Sequence, residues 1–239
     1  ENAKVFIERE DGVSHQLTKI NKHILDSLGI IDTLEVPFNY LYVDLSYQEN
    51  EFSKIGYKYK LIIEWNNQTF SAITSIPPQY PIDSVWVKKK DSTESEYKCY
   101  IWARINDPDT LGNSALIYFK RDLGWKPMDP LFIPSAISVR TDDLVNGENF
   151  EAMFARSGRF SDEDGFLLPF NGDRVINGEF IRKDIVLIRI SHIDKTIYNF
   201  WRSAERSINS NPFSEPINLV GNIDGALGVW GGYGVSYYY

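Results

Sequence analysis

The sequence predicts a mainly β protein made of two β-sandwich-like parts, with one amphipathic helix packed on the second part. Three observations lead to this prediction. Apolar and polar residues alternate with period two along much of the first 80 residues. Aromatic residues, which favour strands, make up 14% of the chain, and one long segment repeats its apolar residues at helical spacing. With 239 residues, 43% of them hydrophobic, the chain can bury such cores without disulfides.

The first part reads as strands joined by short turns. A turn at Asp11-Gly12 ends the first strand, and Asn66-Asn67 joins the last two as a β-hairpin, because asparagine tolerates the left-handed backbone of tight turns. The predicted elements are strands at residues 4–9, 40–47, 57–65 and 69–76, with a short helix at 22–28.

A domain junction is predicted at residues 77–81, where three prolines hold the chain extended and remove backbone donors. The boundaries are therefore 1–78 for the first domain and 82–239 for the second. Residues 124–134, which include Trp125, read as an irregular excursion. The segment 181–190 is apolar on both faces, which is typical of a central strand. The other strands predicted in this part are 82–90, 96–106 and 116–121.

The helix is predicted at about residues 192–208. Ser191 is the expected N-cap, with Asp194 three residues later as in a capping box, and Asn211-Pro212 follows as a stop signal. The charged residues of this segment lie largely off its apolar stripe, which predicts a helix lying on a sheet. Because the polar face mixes both signs of charge, a membrane-surface helix is the less favoured alternative.

Composition excludes several classes of protein. A formal net charge of -8 argues against nucleic-acid binding, which needs a clustered positive field. Cys99 is the sole cysteine and is expected to be a small buried side chain. No stretch approaches the roughly 20 apolar residues of a membrane helix. The visible start carries no export signal, and Val5 to Ile7 already reads as a strand, so we expect the chain to begin inside a domain.

Motifs for catalysis or cofactors are absent from the sequence. The three histidines show no metal-ligand spacing, so no metal site is predicted. The acidic run Asp162-Glu163-Asp164 leaves open a calcium site, although a solvated loop is favoured because the EF-hand pattern is missing. The glycine-rich stretch 221–234 lacks the lysine of a phosphate-binding loop and is interpreted as a closing strand with close backbone contacts. We therefore predict neither an enzyme nor a cofactor.

An excess of aromatic residues remains partly unexplained by strand and helix packing. Six of them lie in an irregular loop or in the weakly charged C-terminal stretch, where they are candidates for contacting a ligand or a partner. They are Trp125, Trp230, Tyr233, Tyr237, Tyr238 and Tyr239.

The order of motifs resembles a family of uncharacterised surface lipoproteins of Bacteroidota, known as a domain of unknown function. The resemblance is carried by T-S-I-P at 74–77, I-D-S-V at 82–85, N-P-F-S-E-P at 211–216 and N-I-D-G-A-L-G-V-W-G-G-Y at 222–233. It implies an immunoglobulin-like domain at residues 1–78 that lacks its first strands. It further implies an export signal and a lipidated cysteine outside the visible chain, and a setting beside TonB-dependent outer-membrane transporters.

The expected function is that of a non-enzymatic accessory lipoprotein at the outer-membrane surface, which binds such a transporter, another outer-membrane protein or the transported nutrient. A carbohydrate-binding or carbohydrate-active protein is one alternative, since aromatic rings stack on sugars. It requires Trp125, Trp230 or Tyr233 to be exposed beside two carboxylates. A structural subunit of a larger surface assembly is the other alternative, motivated by the weakly charged C-terminal stretch.

Overall fold

A computed structural model describes residues 3–21, 24, 40–46, 52–80, 82–89, 98–122, 132–155, 180–181, 185–208 and 218–239. The architecture is mainly β with a helix near the C-terminus, as the sequence predicts. In chain order the elements are β1 Lys4–Arg9, β2 Ser14–Asn21, β3 Tyr40–Val43, β4 Lys58–Trp65, β5 Gln68–Ser75, β6 Ile82–Lys89, β7 Lys98–Asn106, β8 Ser114–Asp122, β9 Ile133–Thr141, β10 Asn149–Phe154, β11 Phe180–Ile181, β12 Ile185–Ile193, α1 Lys195–Ile208 and β13 Gly234–Tyr238.

The strands form three sheets within the described residues. The first has the order β3-β2-β1-β4-β5, the second has the order β10-β7-β11 with β6 also paired to β7, and the third has the order β13-β12-β8-β9. The chain divides into two compact units. One comprises Glu1–Pro78 with Ile193–Tyr233, and the other comprises Gln79–His192 with Gly234–Tyr239. The first crossing between units, after Pro78, falls within the predicted junction.

The first unit contains the five-stranded sheet. Its central hairpin is the predicted one, because β4 and β5 pair antiparallel from Lys58↔Ser75 to Trp65↔Gln68. Asn66 and Asn67 have φ angles of 49° and 61°, the left-handed conformation that a two-residue hairpin turn requires. Val5, Leu17, Leu61 and Ala72 form the buried core on this sheet. The described residues of this unit contain one sheet, so an immunoglobulin-like sandwich at residues 1–78 stays a prediction.

The second unit is a sandwich of two four-stranded sheets around one core. Alternate residues of β7 and β10 face alternate residues of β8 and β12, as expected for sheets that each bury one face. Phe119 of β8 meets Phe154 of β10 and Phe180 of β11, with ring centroids 6.0 and 5.2 Å apart. Cys99 is 6% exposed and belongs to this core, which confirms the prediction of a buried thiol.

The helix corrects the prediction in two respects. β12 continues through Ile193, and Asp194 is the N-cap in place of Ser191, with Oδ1 accepting hydrogen bonds from the amides of Thr196 and Ile197 at 2.9 and 3.0 Å. The helix also belongs to the first unit and not to the second. Its N-cap accepts a hydrogen bond from the hydroxyl of Thr74 in β5 at 3.1 Å. Sequence order misled the assignment, since α1 directly follows a strand of the second unit.

The glycine-rich stretch forms a strand only at its end, where β13 pairs with β12. Residues 218–233 cross the first unit as an irregular segment, with one bridge between Asp224 and Ser71. Ile223 and Trp230 from this segment pack against the core of the first sheet. Two glycines of this segment lie directly against other backbone atoms, Gly221 against the carbonyl of Gly228 and Gly232 against the carbonyl of Ser75. Such close backbone contacts are what the sequence predicts for the glycine-rich stretch.

Several predicted features lie outside the described residues. They are the helix at 22–28 except for residue 24, the excursion with Trp125, the acidic run at 162–164 and the motif at 211–216. Over the part of the chain that the structure does describe, no helix combines the length and apolar character needed to cross a membrane.

Candidate functional site

A cavity of about 80 Å³ opens at one end of the sandwich in the second unit. Apolar side chains from both sheets form its walls. At its rim the strands continue into two connecting loops, residues 107–113 after β7 and residues 142–148 after β9. Polar and charged side chains from these loops and strand ends converge on an otherwise apolar space, which is the usual composition of a ligand site. The apolar walls include Ile82, Ile105, Ile117, Phe150 and Ile190.

His192, at the end of β12, is a buried member of this lining. It lies on the same strand face as Ile188 and Ile190, which places its ring towards the core. Its Nε2 accepts a hydrogen bond from the backbone amide of Tyr80 at 3.1 Å, and the Tyr80 ring packs edge-on against it at 4.6 Å. Burial lowers the pKa of His192 to about 4. The imidazole is therefore neutral at pH 7, and Nε2 is committed to the backbone.

Two buried aspartates hold the rim loops together. Asp142, which is 3% exposed, accepts hydrogen bonds from the amides of Gly112 at 3.0 Å and Asn113 at 3.0 Å in the opposite loop. Asp107 accepts one from the amide of Gly147 at 3.1 Å, again across the two loops. Each loop thus supplies a carboxylate that caps backbone donors of the other loop.

The negative charges of Asp107 and Asp142 differ in how many hydrogen-bond donors stabilise them. Burial raises the pKa of Asp107, and the nearby negative charge of Asp142 raises it further, while its one bond from Gly147 lowers it. Asp107 has no cationic partner among the described residues. Its charged form is therefore costly in the folded state, whereas Asp142 has two backbone amides as donors.

We expect isosteric changes at these two positions to act in opposite directions. Asp142→Asn places an amide NH₂ against backbone donors and should lower the free energy of unfolding by about 2 kcal/mol. Asp107→Asn keeps an oxygen for Gly147 and removes the uncompensated charge, so stability at pH 7 should stay the same or rise. Urea unfolding of both variants at pH 7 measures the difference. Equal losses in the two variants would contradict the different roles of the two carboxylates.

Arg140 of β9 is the cation of the cavity lining. It pairs with Ala115 across β8 and β9, and since Ala115 packs on the core, Arg140 lies on the inner face of the sheet. Its guanidinium donates to the carbonyl of Met153 at 3.1 Å and lies 5.5 Å from the centre of the Phe154 ring. The buried Nε has no hydrogen-bond partner among the described residues. Burial lowers the pKa of Arg140, and no carboxylate in the described part of the chain forms an ion pair with it.

Two of the six aromatic candidates from the sequence lie in the first unit. Trp230 is half-buried against the core of the first sheet, and its backbone exchanges hydrogen bonds with the side chain of Asn222 at 2.7 and 2.8 Å. Tyr233 accepts a hydrogen bond from Nε1 of Trp201 at 3.4 Å. Both side chains have packing or hydrogen-bonding roles within their unit.

The three terminal tyrosines lie in the second unit. Tyr238 packs on the sandwich core, and its hydroxyl accepts a hydrogen bond from the amide of Ile82 at 2.9 Å. Tyr237 and Tyr239 are 54% and 87% exposed. Tyr237 lies on the opposite strand face from Tyr238, 6.2 Å from Phe132. Trp125 lies outside the described residues, and none of the five described candidates lines the cavity.

The described side chains include no group of three or more His, Cys, Asp or Glu residues arranged to hold a metal ion. The candidate calcium ligands at 162–164 lie outside the described residues, so that alternative stays a prediction.

The family model for DUF4249, described as a domain of unknown function, matches residues 1–238. The chain belongs to the DUF4249 family. No curated protein matches it. The match covers residues of both compact units of the structure.

Sequence reasoning missed the cavity of this DUF4249 chain. In the sequence, Asp107 and Asp142 lie in turn-like acidic segments, and Arg140 lies in a region without a predicted strand. None of these patterns indicates that the three side chains line one cavity. Two sequence signals did point to the loop that carries Asp107. Asp107-Pro108-Asp109 and Gly112-Asn113 mark a loop after a strand, and loops at strand ends often carry binding residues. The pairing of those loops depends on contacts between residues about 30 to 40 positions apart.

Proposed function

We propose that the chain is a non-enzymatic accessory lipoprotein of the outer-membrane surface that binds a TonB-dependent transporter or its nutrient. One observation carries the binding part of this proposal. Two titratable groups of the cavity, His192 and Asp142, serve structure, because His192 is bonded to Tyr80 and Asp142 to the facing rim loop. A general base needs a free atom within reach of its substrate. The arrangement therefore favours binding over catalysis.

The transporter setting rests on other support. The motifs at 74–77, 82–85, 211–216 and 222–233 resemble those of Bacteroidota surface lipoproteins. Tyr237 and Tyr239 offer exposed aromatic surface in the second unit, and tyrosine is enriched in protein interfaces. The lipid anchor belongs to the resemblance and is part of the proposal.

The test is a pull-down of tagged protein from detergent-solubilised outer membranes of a Bacteroidota host grown on several nutrients. We expect recovery of a TonB-dependent transporter. The double change Tyr237→Ser and Tyr239→Ser should weaken recovery about tenfold if these side chains anchor the interface. Tyr40→Ser is the matched control, because Tyr40 is 51% exposed but lies in the first unit. Absence of any transporter on every nutrient would refute the proposed setting.

A further inference from the structure

Two opposite charges line the cavity of the second unit, and neither has a counter-ion in the part of the chain that the structure describes. Arg140 is half-buried, with a carbonyl and an aromatic ring as neighbours, and its buried Nε has no hydrogen-bond partner among the described residues. Asp107 is 9% exposed, and among the described residues its carboxylate accepts a hydrogen bond only from Gly147. The two side chains form no ion pair with each other. Buried charges are normally paired or fully hydrogen-bonded, because water no longer solvates them.

The remaining polar groups of the cavity leave these two charges exposed to a ligand. The carboxylate of Asp142 is taken up by the amides of the facing loop, and His192 is neutral and bonded to Tyr80. The hydroxyl of Tyr80 donates to Asn113 at 2.6 Å. The cavity therefore presents one positive group, Arg140, and one negative group, Asp107. Its lining also includes apolar side chains such as Ile117 and Ile190, and the hydroxyls of Ser114 and Thr141, which have no hydrogen-bond partner among the described residues.

We propose that this cavity binds a small zwitterion with an aliphatic body, such as an amino acid, whose carboxylate pairs with Arg140 and whose ammonium group pairs with Asp107. A simple anion would satisfy Arg140 but would be repelled by Asp107 and Asp142, and a simple cation would satisfy Asp107 but would be repelled by Arg140. A neutral sugar would offer hydrogen bonds without opposite charge. Of these ligands, only the zwitterion supplies a counter-ion to both groups.

The size of the cavity sets the size of the ligand. Its volume of about 80 Å³ is well below the roughly 300–1,000 Å³ of pockets for drug-sized molecules. A small aliphatic side chain suits both this volume and the apolar wall. The inference deepens the nutrient-binding part of the proposed function and rests on it, since it names the chemistry of what the pocket would hold.

The experiment compares three probes of similar shape on the full chain at pH 7, by calorimetry or saturation-transfer NMR. They are valine, its carboxylate-only analogue isovalerate and its amine-only analogue isobutylamine. We expect valine to bind at least about tenfold more tightly than either analogue, since each analogue leaves one of the two charges without a counter-ion. Glucose serves as the neutral hydroxylated comparator and should bind more weakly than valine.

Variants of the two charged residues assign the contacts. Arg140→Met should weaken the binding of both valine and isovalerate by at least about tenfold. Arg140→Gln provides the same test if the methionine variant does not fold. Asp107→Asn should reduce the affinity for valine to that for isovalerate. The affinity for isovalerate should stay the same or increase. The matched controls are Arg104→Met and Asp83→Asn, since both residues are exposed and lie outside the cavity lining. Circular dichroism confirms that each variant is folded.

Equal affinity for valine and its analogues, tighter binding of glucose, or no binding of any probe would overturn the zwitterion site. These results are separable from the pull-down. Recovery of a transporter without valine binding would leave the proposed function standing and remove this inference. Valine binding that depends on Arg140 and Asp107, with no transporter recovered, would support the site and remove the transport setting.

Discussion

Gly232→Ala should destabilise the first unit by about 3 kcal/mol or more. Gly232 is buried where residues 218–233 cross β5. A Cβ built on it would overlap the carbonyl oxygen of Ser75 and lie 2.7 Å from the Ser75 carbonyl carbon. These are backbone atoms of a paired strand, so the clash cannot be relieved by turning a side chain. The amide of Gly232 also donates to Thr74 Oγ1 at 2.9 Å, a bond that any displacement would weaken.

The measurement is the midpoint of urea unfolding, followed by tryptophan fluorescence and far-ultraviolet circular dichroism. Gly12→Ala is the control in the same unit. Nothing lies within 4 Å of a Cβ at Gly12, but its φ is 91°, so the control carries backbone strain without a steric clash. We expect that control to cost about 1 kcal/mol. A Gly232→Ala variant as stable as Gly12→Ala would show that the segment is not held against β5 in solution.

The free energy of unfolding should fall by about 3 kcal/mol between pH 6.5 and pH 4 through the titration of His192 alone. Burial lowers the pKa of this imidazole from 6.5 to about 4 in the folded protein. The unfolded chain therefore takes up a proton before the folded chain does. The stabilising contribution is complete above pH 6.5 and is lost as the pH falls towards 4. The groups that share the cavity with the imidazole are Tyr80, Asp107, Arg140 and Asp142.

Asp107 acts in the opposite direction, since its pKa is raised. Its contribution is present below the carboxyl pKa of the unfolded chain and is lost as the pH rises through the folded value. His192→Gln isolates the histidine term, because glutamine can still accept the Tyr80 amide hydrogen bond but does not titrate. Urea midpoints of both proteins from pH 4 to pH 7 give the comparison. Parallel pH profiles for the wild type and His192→Gln would contradict a buried neutral imidazole.

Local features of the fold followed directly from the sequence. The hairpin through Asn66-Asn67 needs only two residues that accept a positive φ between two alternating segments. The strands near residues 4–9 and 82–89 and the central position of β12 follow from alternation or from apolar residues on both faces. The buried state of Cys99 follows from the same alternation. Each of these features depends on residues that are close together in the sequence, so a local pattern is enough to predict it.

The position of the helix did not follow from the sequence. Its apolar stripe shows that one face of the helix packs against another part of the protein. The stripe does not specify which sheet that is. In the structure, contacts from Thr74 in β5 and Tyr233 near the C-terminus place it in the first unit. The N-cap is Asp194 and not the predicted Ser191, because Ser191 pairs with Val235 in the ladder between β12 and β13 and so belongs to the strand.

The candidate site was decided by tertiary structure. From the sequence, six aromatic residues were candidates, and the structure places two of the described five in prominent exposed positions, Tyr237 and Tyr239. The charged cavity was invisible because Asp107, Arg140 and His192 are spread over 86 positions and meet only when two sheets close on each other. Composition and periodicity by themselves determined a mainly β chain with an amphipathic helix near residues 192–208. Which charges in the described residues line the cavity without a counter-ion depends on contacts that no local pattern encodes. Those contacts give this protein its candidate binding site.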